Sequence, residues 1–322
     1  MKQFEEALSA IERELSLLSF PKAPENLYDP LRYFMALGGK RIRPILTLMA
    51  TELFSVDPQN SFNAALAVEV FHNFSLIHDD IMDDAPLRRN KPTVHERWGS
   101  NVAILSGDVL LVKAYQLIAK QDARHLPDLL NLFNSTAVEV CEGQQMDMDF
   151  ELRKDVSIAE YIEMIRLKTS VLLGCALEMG AIVADASPKD RKKLYTFGQH
   201  IGIAFQIQDD ILDLFADPKK FGKQVGGDVI ANKKTLLNLK ALQMASEDQR
   251  QSLERLSHEQ DHAVKVMRTR EIYVEIGVRS ACEQLMLEHY TLAMQSVNSV
   301  KCPQDKKTPL IHLAALLMNR EH

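Results

Sequence analysis

The sequence predicts a single all-α domain, and three observations predict it. Glycine and proline are scarce, 13 and 12 among 322 residues, roughly 8% against an average near 12%. Turns are therefore few and the elements long. Apolar residues recur at the helical period of 3.6 in nearly every segment, and no run alternates at the strand period of 2. No linker, short repeat or shift in composition divides the chain. With 46% apolar and 25% charged residues, it has the balance of a globular protein large enough to bury a core without disulfide or metal staples.

Read in order, the period predicts helices over Lys2–Leu18, Leu31–Leu37, Arg43–Leu53 and Ser61–Asp84. It continues over Val102–Lys120, Leu126–Phe150, Ile158–Ala184, Lys189–Phe215 and Lys234–Met244. The last third adds Gln249–Leu256, Ala263–Met294 and Leu310–Asn319. Breaks are expected where Pro, Gly or Asp cluster: Pro21–Pro30, Gly38–Gly39, Asp57–Pro58, Pro86–Pro92, Ser187–Pro188 and Asp217–Gly227.

A net charge of −6 and a sequence pI near 6.0 do not suit a nucleic-acid backbone, which needs a basic footprint. Cys141, Cys175, Cys282 and Cys302 form no CxxC pair, so neither a zinc site nor a redox motif is expected. A reduced, cytoplasmic setting is the simplest expectation. The acidic, amphipathic start MKQFEEALSAIEREL is not read as a signal peptide. No run of 18 uncharged apolar residues predicts a membrane span.

The chemistry lies in two acid clusters at the ends of apolar helices. In FHNFSLIHDDIMDDAPLRRNKPTVHERWG, Asp79, Asp80, Asp83 and Asp84 precede Pro86, and Arg88 and Arg89 follow. Asp79 and Asp83 are one turn apart on one face. Like charges there cost a few tenths of a kcal/mol unless a cation bridges them. A hard divalent ion such as Mg2+ takes oxygen ligands and keeps sites for a phosphate. FGQHIGIAFQIQDDILDLFADPKKFGK repeats the pattern, with Gln206, Asp209, Asp210 and Asp213, then Pro218 and Lys219, Lys220, Lys223, Lys233 and Lys234. One such cluster could be a solvated helix end. Two, each followed by cations, point to a multi-magnesium cage for a diphosphate if the helices face each other.

With these motifs the chain resembles the trans-type polyprenyl diphosphate synthases, the all-α isoprenoid synthase family. Gly38-Gly39-Lys40-Arg41-Ile-Arg43-Pro44, Gly143-Gln144-Gln-Met-Asp147, Lys168-Thr169, and Gly222-Lys223 leading to Asp228 and Lys233 stand beside both aspartate motifs in family order, over roughly Gly38 to Thr235. The resemblance implies a helical bundle around a central cavity, usually homodimeric, formed by residues 1–322 as one domain. It implies head-to-tail condensation of isopentenyl diphosphate with an allylic diphosphate, after ionisation of the allylic C–O bond.

By the same resemblance, Asp79 and Asp83 hold two Mg2+ and Asp209 a third. Asp80, Asp210 and Asp213 support them, and Asp147 orients metal-bound water. Arg88, Lys168, Lys223 and Lys233 are expected on the allylic diphosphate, and Lys40, Arg43, His72 and Arg89 on isopentenyl diphosphate. Arg41 is read as an exposed basic turn. His72, seven residues before Asp79, also shares its helical face on ideal geometry. Neutral oxygens of Gln206, Thr169 and the Lys168 carbonyl would face the carbocation, and the released diphosphate would take the final proton. His78 is tempting as a base, but a role in supporting Asp79 or in packing is favoured.

Product length in the family depends on residues before the first motif, here Phe74 and Ser75. An aromatic followed by a small residue resembles C20 synthases, with C15 next. Ideal phase instead puts Ser75 and Phe71 on the aspartate face. The rival readings are a terpene cyclase, a non-catalytic partner subunit and a magnesium phosphohydrolase. A cyclase needs no isopentenyl site, a partner subunit generally loses an aspartate motif, and a phosphohydrolase needs no apolar tunnel. Glu247, Asp248, Arg250 and Glu254 read as a solvated face; Arg320 could approach the isopentenyl site, but reads first as part of a frayed tail.

Overall fold

The computed structural model describes residues 2–216 and 225–318. Lys219, Lys220, Gly222, Lys223 and Arg320 lie outside the described residues. Sixteen α-helices, a short 3-10 helix at Pro58–Ser61, a π-helical turn at Arg166–Ser170 and one two-stranded hairpin make up the regular structure among them. The chain divides into two compact units. The first comprises Met1–Thr136, Leu172–Tyr195 and Val300–Leu310, and the second Ala137–Val171, Thr196–Ser299 and Ile311–His322.

The first unit is built on α1 (Lys2–Ser16), α2 (Glu25–Met35), α3 (Ile42–Leu53), α4 (Phe62–Met82), α5 (Val94–Trp98) and α6 (Ser100–Ile118). Nearly every position from Ala64 to Phe71 is buried, so α4 is a core helix rather than an amphipathic surface one. It packs on α6 and α3, and burying Val70, Phe71 or Ile77 is worth about 1.5–3 kcal/mol each. Asp57 starts the approach to α4 by accepting from Gln59 N at 2.9 Å. The helix stops at Asp83, its C-terminal cap, followed by left-handed Asp84 and by Pro86, which has no N–H to continue it. By length and composition α6 could cross a membrane, but Asp108 and Lys113 interrupt it and its inner face packs on α2, α4 and α5.

The expected break at Pro21–Pro30 is shorter than the sequence suggests, because α2 begins at Glu25 and includes Pro30. That proline, the sixth residue of the helix, has no N–H to donate within the second turn, and its ring is buried. The break at Pro86–Pro92 holds the hairpin, β1 (Leu87–Arg88) against β2 (Lys91–Pro92), with Arg88 opposite Lys91. Arg89 and Asn90 have φ of 53° and 60°, as a two-residue type I′ loop demands.

Helices α7 (Leu126–Leu152), α9 (Val171–Val183) and α10 (Pro188–Phe215) contribute residues to both units. The second unit adds α8 (Ile158–Ile165), α11 (Gly227–Ile230), α12 (Leu236–Met244), α13 (Glu247–Ser257), α14 (His262–Ile276) and α15 (Val278–Asn298). Its core gathers Phe150, Tyr161, Ile203, Ile207, Ile211, Leu236, Tyr273 and Val278. Helix α16 spans Gln304–Met318. The single helix expected over Ala263–Met294 is two, because Gly277 at φ 79° ends α14. Its N–H closes on the carbonyls of Tyr273 and Val274, a left-handed C-terminal cap that glycine adopts at least cost. The expected helix over Ile158–Ala184 is interrupted by a π-helical turn at Arg166–Ser170.

Candidate active site

In the first unit, α4 delivers His72, Asp79, Asp80 and Asp83, and the hairpin delivers Arg88 and Arg89. Asp80 is buried, and Arg88 Nε reaches both its oxygens at 2.8 and 2.9 Å, with Nη2 at 2.7 Å from Oδ1. Arg88 Nη2 also lies 3.8 Å from Asp79. The middle aspartate thus aims the arginine, while Asp79 is half-buried and Asp83 exposed at the rim. Their hard oxygen donors at the negative end of α4 fit Mg2+.

His72 Nε2 lies 3.1 Å from Arg43 Nη1. A guanidinium only donates, so Nε2 is the acceptor and the imidazole is neutral. Burial first, then Arg43, Arg88, Arg89 and Arg41, push the His72 pKa well below its ordinary value. Burial likewise lowers Arg43 to about 10, and its Nε has no hydrogen-bond partner. Gly39 lets the loop approach Arg89: a Cβ there would sit 2.8 Å from Arg89 Nη2, and its φ of +154° would strain any other residue. Lys40 stands exposed on the same loop.

Arg41 is a correction. Rather than an exposed basic turn it is 3% exposed, donating to Glu69 at 2.6 Å, Glu12 at 2.8 Å and the Met35 carbonyl at 3.2 Å. Glu12 and Glu69 lie far away in sequence, so periodicity could not reveal this brace. His78 packs as favoured. It lies 4.7 Å from the Phe74 ring, its Nε2 donates to the Ile104 carbonyl at 3.1 Å, and Gly107 makes room for the ring. Phe71 is buried against Phe74 and Phe133, and Ser75 Oγ donates to the His72 carbonyl at 2.8 Å.

In the second unit the π-helical turn presents Lys168 and Thr169. Extra-wide turns of this kind recur at functional sites, and two glycines make this one possible. A Cβ on Gly143 would fall 2.2 Å from Lys168 N, and one on Gly202 2.7 Å from Ser170 Cα. Lys168 Nζ donates to Asp147 at 2.6 Å, so that carboxylate, expected on metal-bound water, holds the ammonium. Thr169 Oγ1 lies 3.5 Å from Gln206 Oε1, and Gln206 Nε2 donates to Asp210 at 3.3 Å. Asp210 also accepts a short bond from Tyr161 and one from Leu236 N at 3.2 Å. Burial outweighs these bonds and pushes its pKa up to about 7. Asp213 takes Asp228 N at 3.1 Å, while Asp209 is half-buried. A cleft of about 750 Å³ has Asp210, Asp213, Asp228 and Lys233 on its wall. Tyr161, Gly202 and the π turn were missed by the sequence reading. No local signal marks Tyr161, because its partner Asp210 is 49 residues away.

Two acid-tipped helices, the first gripping Arg88 and the second sharing a cleft with Lys233, suit an enzyme that handles phosphorylated substrates. The polyprenyl synthetase family model matches residues 24–276. The chain is 39% identical over 300 residues to a short chain isoprenyl diphosphate synthase of Methanothermobacter thermautotrophicus, covering 93% of this chain and 92% of that one. It is 37% identical over 303 residues to a geranylgeranyl diphosphate synthase of Methanosarcina mazei, covering 93% and 91%. A crystal structure of geranylgeranyl pyrophosphate synthase superposes with a TM-score of 0.94 at 41% identity over 99% of both chains. The chain belongs to the polyprenyl synthetase family and is a prenyltransferase.

Proposed function

We propose that this chain condenses isopentenyl diphosphate with an allylic diphosphate (dimethylallyl, geranyl or farnesyl) head to tail. The product is a short trans-prenyl diphosphate, C20 ahead of C15. The observation that carries the reading is the cation cluster around neutral His72, with Arg43 bonded to it and Arg89 under Gly39. A terpene cyclase has no use for that second anion site.

In this reading Asp79, Asp83 and Asp209 would hold Mg2+, three per site, and the ions would supply positive charge to stabilise the leaving diphosphate. Arg88, Lys168, Lys223 and Lys233 bind the allylic diphosphate, and the fixed guanidinium of Arg88 needs no reorganisation as charge develops. Lys40, Arg43, His72 and Arg89 bind the isopentenyl diphosphate. A neutral His72 donates through Nδ1 while its Nε2 orients Arg43. Thr169 and Gln206 present uncharged oxygens that stabilise positive carbon without trapping it. Phe74, Ser75 and Phe71 set the length. Both units serve one catalytic domain, in the cytoplasm. The chain works as a homodimer, supported by Ile104, Leu105 and Val112, which α6 leaves 43–58% exposed.

Incubation of the purified chain with Mg2+, isopentenyl diphosphate and each allylic primer tests this, with products dephosphorylated and resolved by chromatography with mass detection. Linear C15–C20 alcohols are expected. Cyclic hydrocarbons from the primer alone, or no product with any primer, would overturn it.

A further inference from the structure

Asp84 ends the first acid cluster, yet the roles above do not use it. Across the hairpin, His95 is the second residue of α5. It is 8% exposed, and neither ring nitrogen has a hydrogen-bond partner, an unusual state for a buried polar group. Its Nε2 faces two carboxylates, with Asp84 Oδ1 at 3.9 Å and Glu96 Oε1 at 3.7 Å. These separations are too long for hydrogen bonds. They are close to what an ion between the groups requires, since donors bound at about 2.0–2.2 Å stand roughly 3–3.5 Å apart. The ligand atoms of all three residues already lie within 4.8 Å of one another. The Asp84 side chain is 97% exposed and that of Glu96 49%, so both can rotate onto an ion while His95 stays fixed.

We propose that Asp84, His95 and Glu96 form a binding site for a divalent transition-metal ion of the Zn2+ or Mn2+ kind. One imidazole nitrogen beside two carboxylates selects such ions over Mg2+, which prefers an all-oxygen shell. The ion has a place in the fold. Thr93 N donates to the Pro86 carbonyl at 3.1 Å and Thr93 Oγ1 to that of Ala85 at 2.8 Å, tying the two feet of the hairpin together. A metal joining Asp84 on one side to His95 and Glu96 on the other adds a third tie below Arg88 and Arg89. The site is thus a clamp on the hairpin that carries both arginines.

Zn2+ titration calorimetry on the full chain, in excess Mg2+ to occupy the aspartate motifs, tests the site. The wild type should bind one Zn2+ at least tenfold more tightly than His95→Gln or Asp84→Asn, and Zn2+ should raise its melting temperature but not theirs. Asp84 is exposed, so Asp84→Asn should melt like the wild type without zinc, keeping the test valid even if His95→Gln folds poorly. Equal zinc affinities in the wild type and Asp84→Asn would overturn the proposal and place the ion elsewhere, for example at exposed Cys141.

Discussion

Asp80 and Asp210 hold the same place in their motifs and are anchored in opposite ways. Asp80 is gripped by a cation, the Arg88 guanidinium. Asp210 is held by neutral donors, the Tyr161 hydroxyl, Leu236 N and the Gln206 amide. Burial raises both pKa values, but at Asp80 the charged partner opposes it directly, whereas Asp210 is carried up to about 7. One sequence pattern therefore builds two devices. The first uses its middle carboxylate to aim a cation; the second uses it to lock α10 to α8 and α12.

The outer aspartates should not share this asymmetry. Asp79→Ala and Asp209→Ala should each lower turnover by on the order of 10^3 or more, since each removes a ligand acting on the leaving group. Folding should survive, because clustered like charges at a helix C-terminus repel each other. Steady-state kinetics at saturating Mg2+ with circular dichroism would check this. Near-normal turnover in either variant would break the equivalence of the motifs.

The middle aspartates should differ. Asp80→Asn leaves Arg88 without its counter-charge and should cost about 1–3 kcal/mol together with the aim of the guanidinium. For Asp210 the pH dependence is diagnostic. Below about 4 its carboxyl is neutral in folded and unfolded chains alike. From there to about 7 only the unfolded chain ionises, so its stabilising contribution is lost as pH rises through that window, and above it the loss is complete. Asp210→Asn does not titrate and should gain on the wild type between pH 4.5 and 7.5 in metal-free denaturant titrations. Asp80→Asn should start from a deficit and narrow it less steeply as pH rises, and equal slopes would erase the contrast.

The substrates should divide unevenly between the regions. Arg43→Ala and His72→Ala should raise the isopentenyl diphosphate KM, roughly tenfold or more for a charge-assisted contact. Lys223→Ala should act on the allylic partner. If Arg43→Ala or His72→Ala raised only the allylic KM, the allocation would be reversed.

What the sequence made legible follows from the range of the interactions. Helix α4, its stop at Pro86 and the rise of both aspartate motifs are local, set by period and turn chemistry, and they stand as expected. The π turn at Arg166–Ser170 could not be seen, since it depends on Gly143 and Gly202 making room from other helices. The Arg41 brace was equally hidden, as Glu12 and Glu69 are 29 and 28 residues away. Gly277 is legible in principle as a helix stop, but the apolar period runs on through it and masks the break.

The smallest effect on turnover should come with the clearest change in product, and it belongs to the first region alone. If Phe74 and its neighbours floor the tunnel, Phe74→Ala should lengthen the product while both aspartate motifs keep working. Removing a ring opens apolar volume that another five-carbon unit can fill. Ser75→Phe should shorten it, because a new ring would block the growing chain sooner. The packing sharpens the test. Phe74 lies between Phe71 at 5.5 Å and His78 at 4.7 Å, so its loss also frees those two rings. Ser75 is tied to the His72 carbonyl, one turn from the proposed isopentenyl site, so Ser75→Phe should raise the isopentenyl KM while Phe74→Ala leaves it unchanged. Chromatography with mass detection of the dephosphorylated products, run beside initial rates, reads both effects. An unchanged length in Phe74→Ala would move the floor to Phe71, on the same helix and buried against Phe133 of α7, and would remove the main reason for placing C20 ahead of C15.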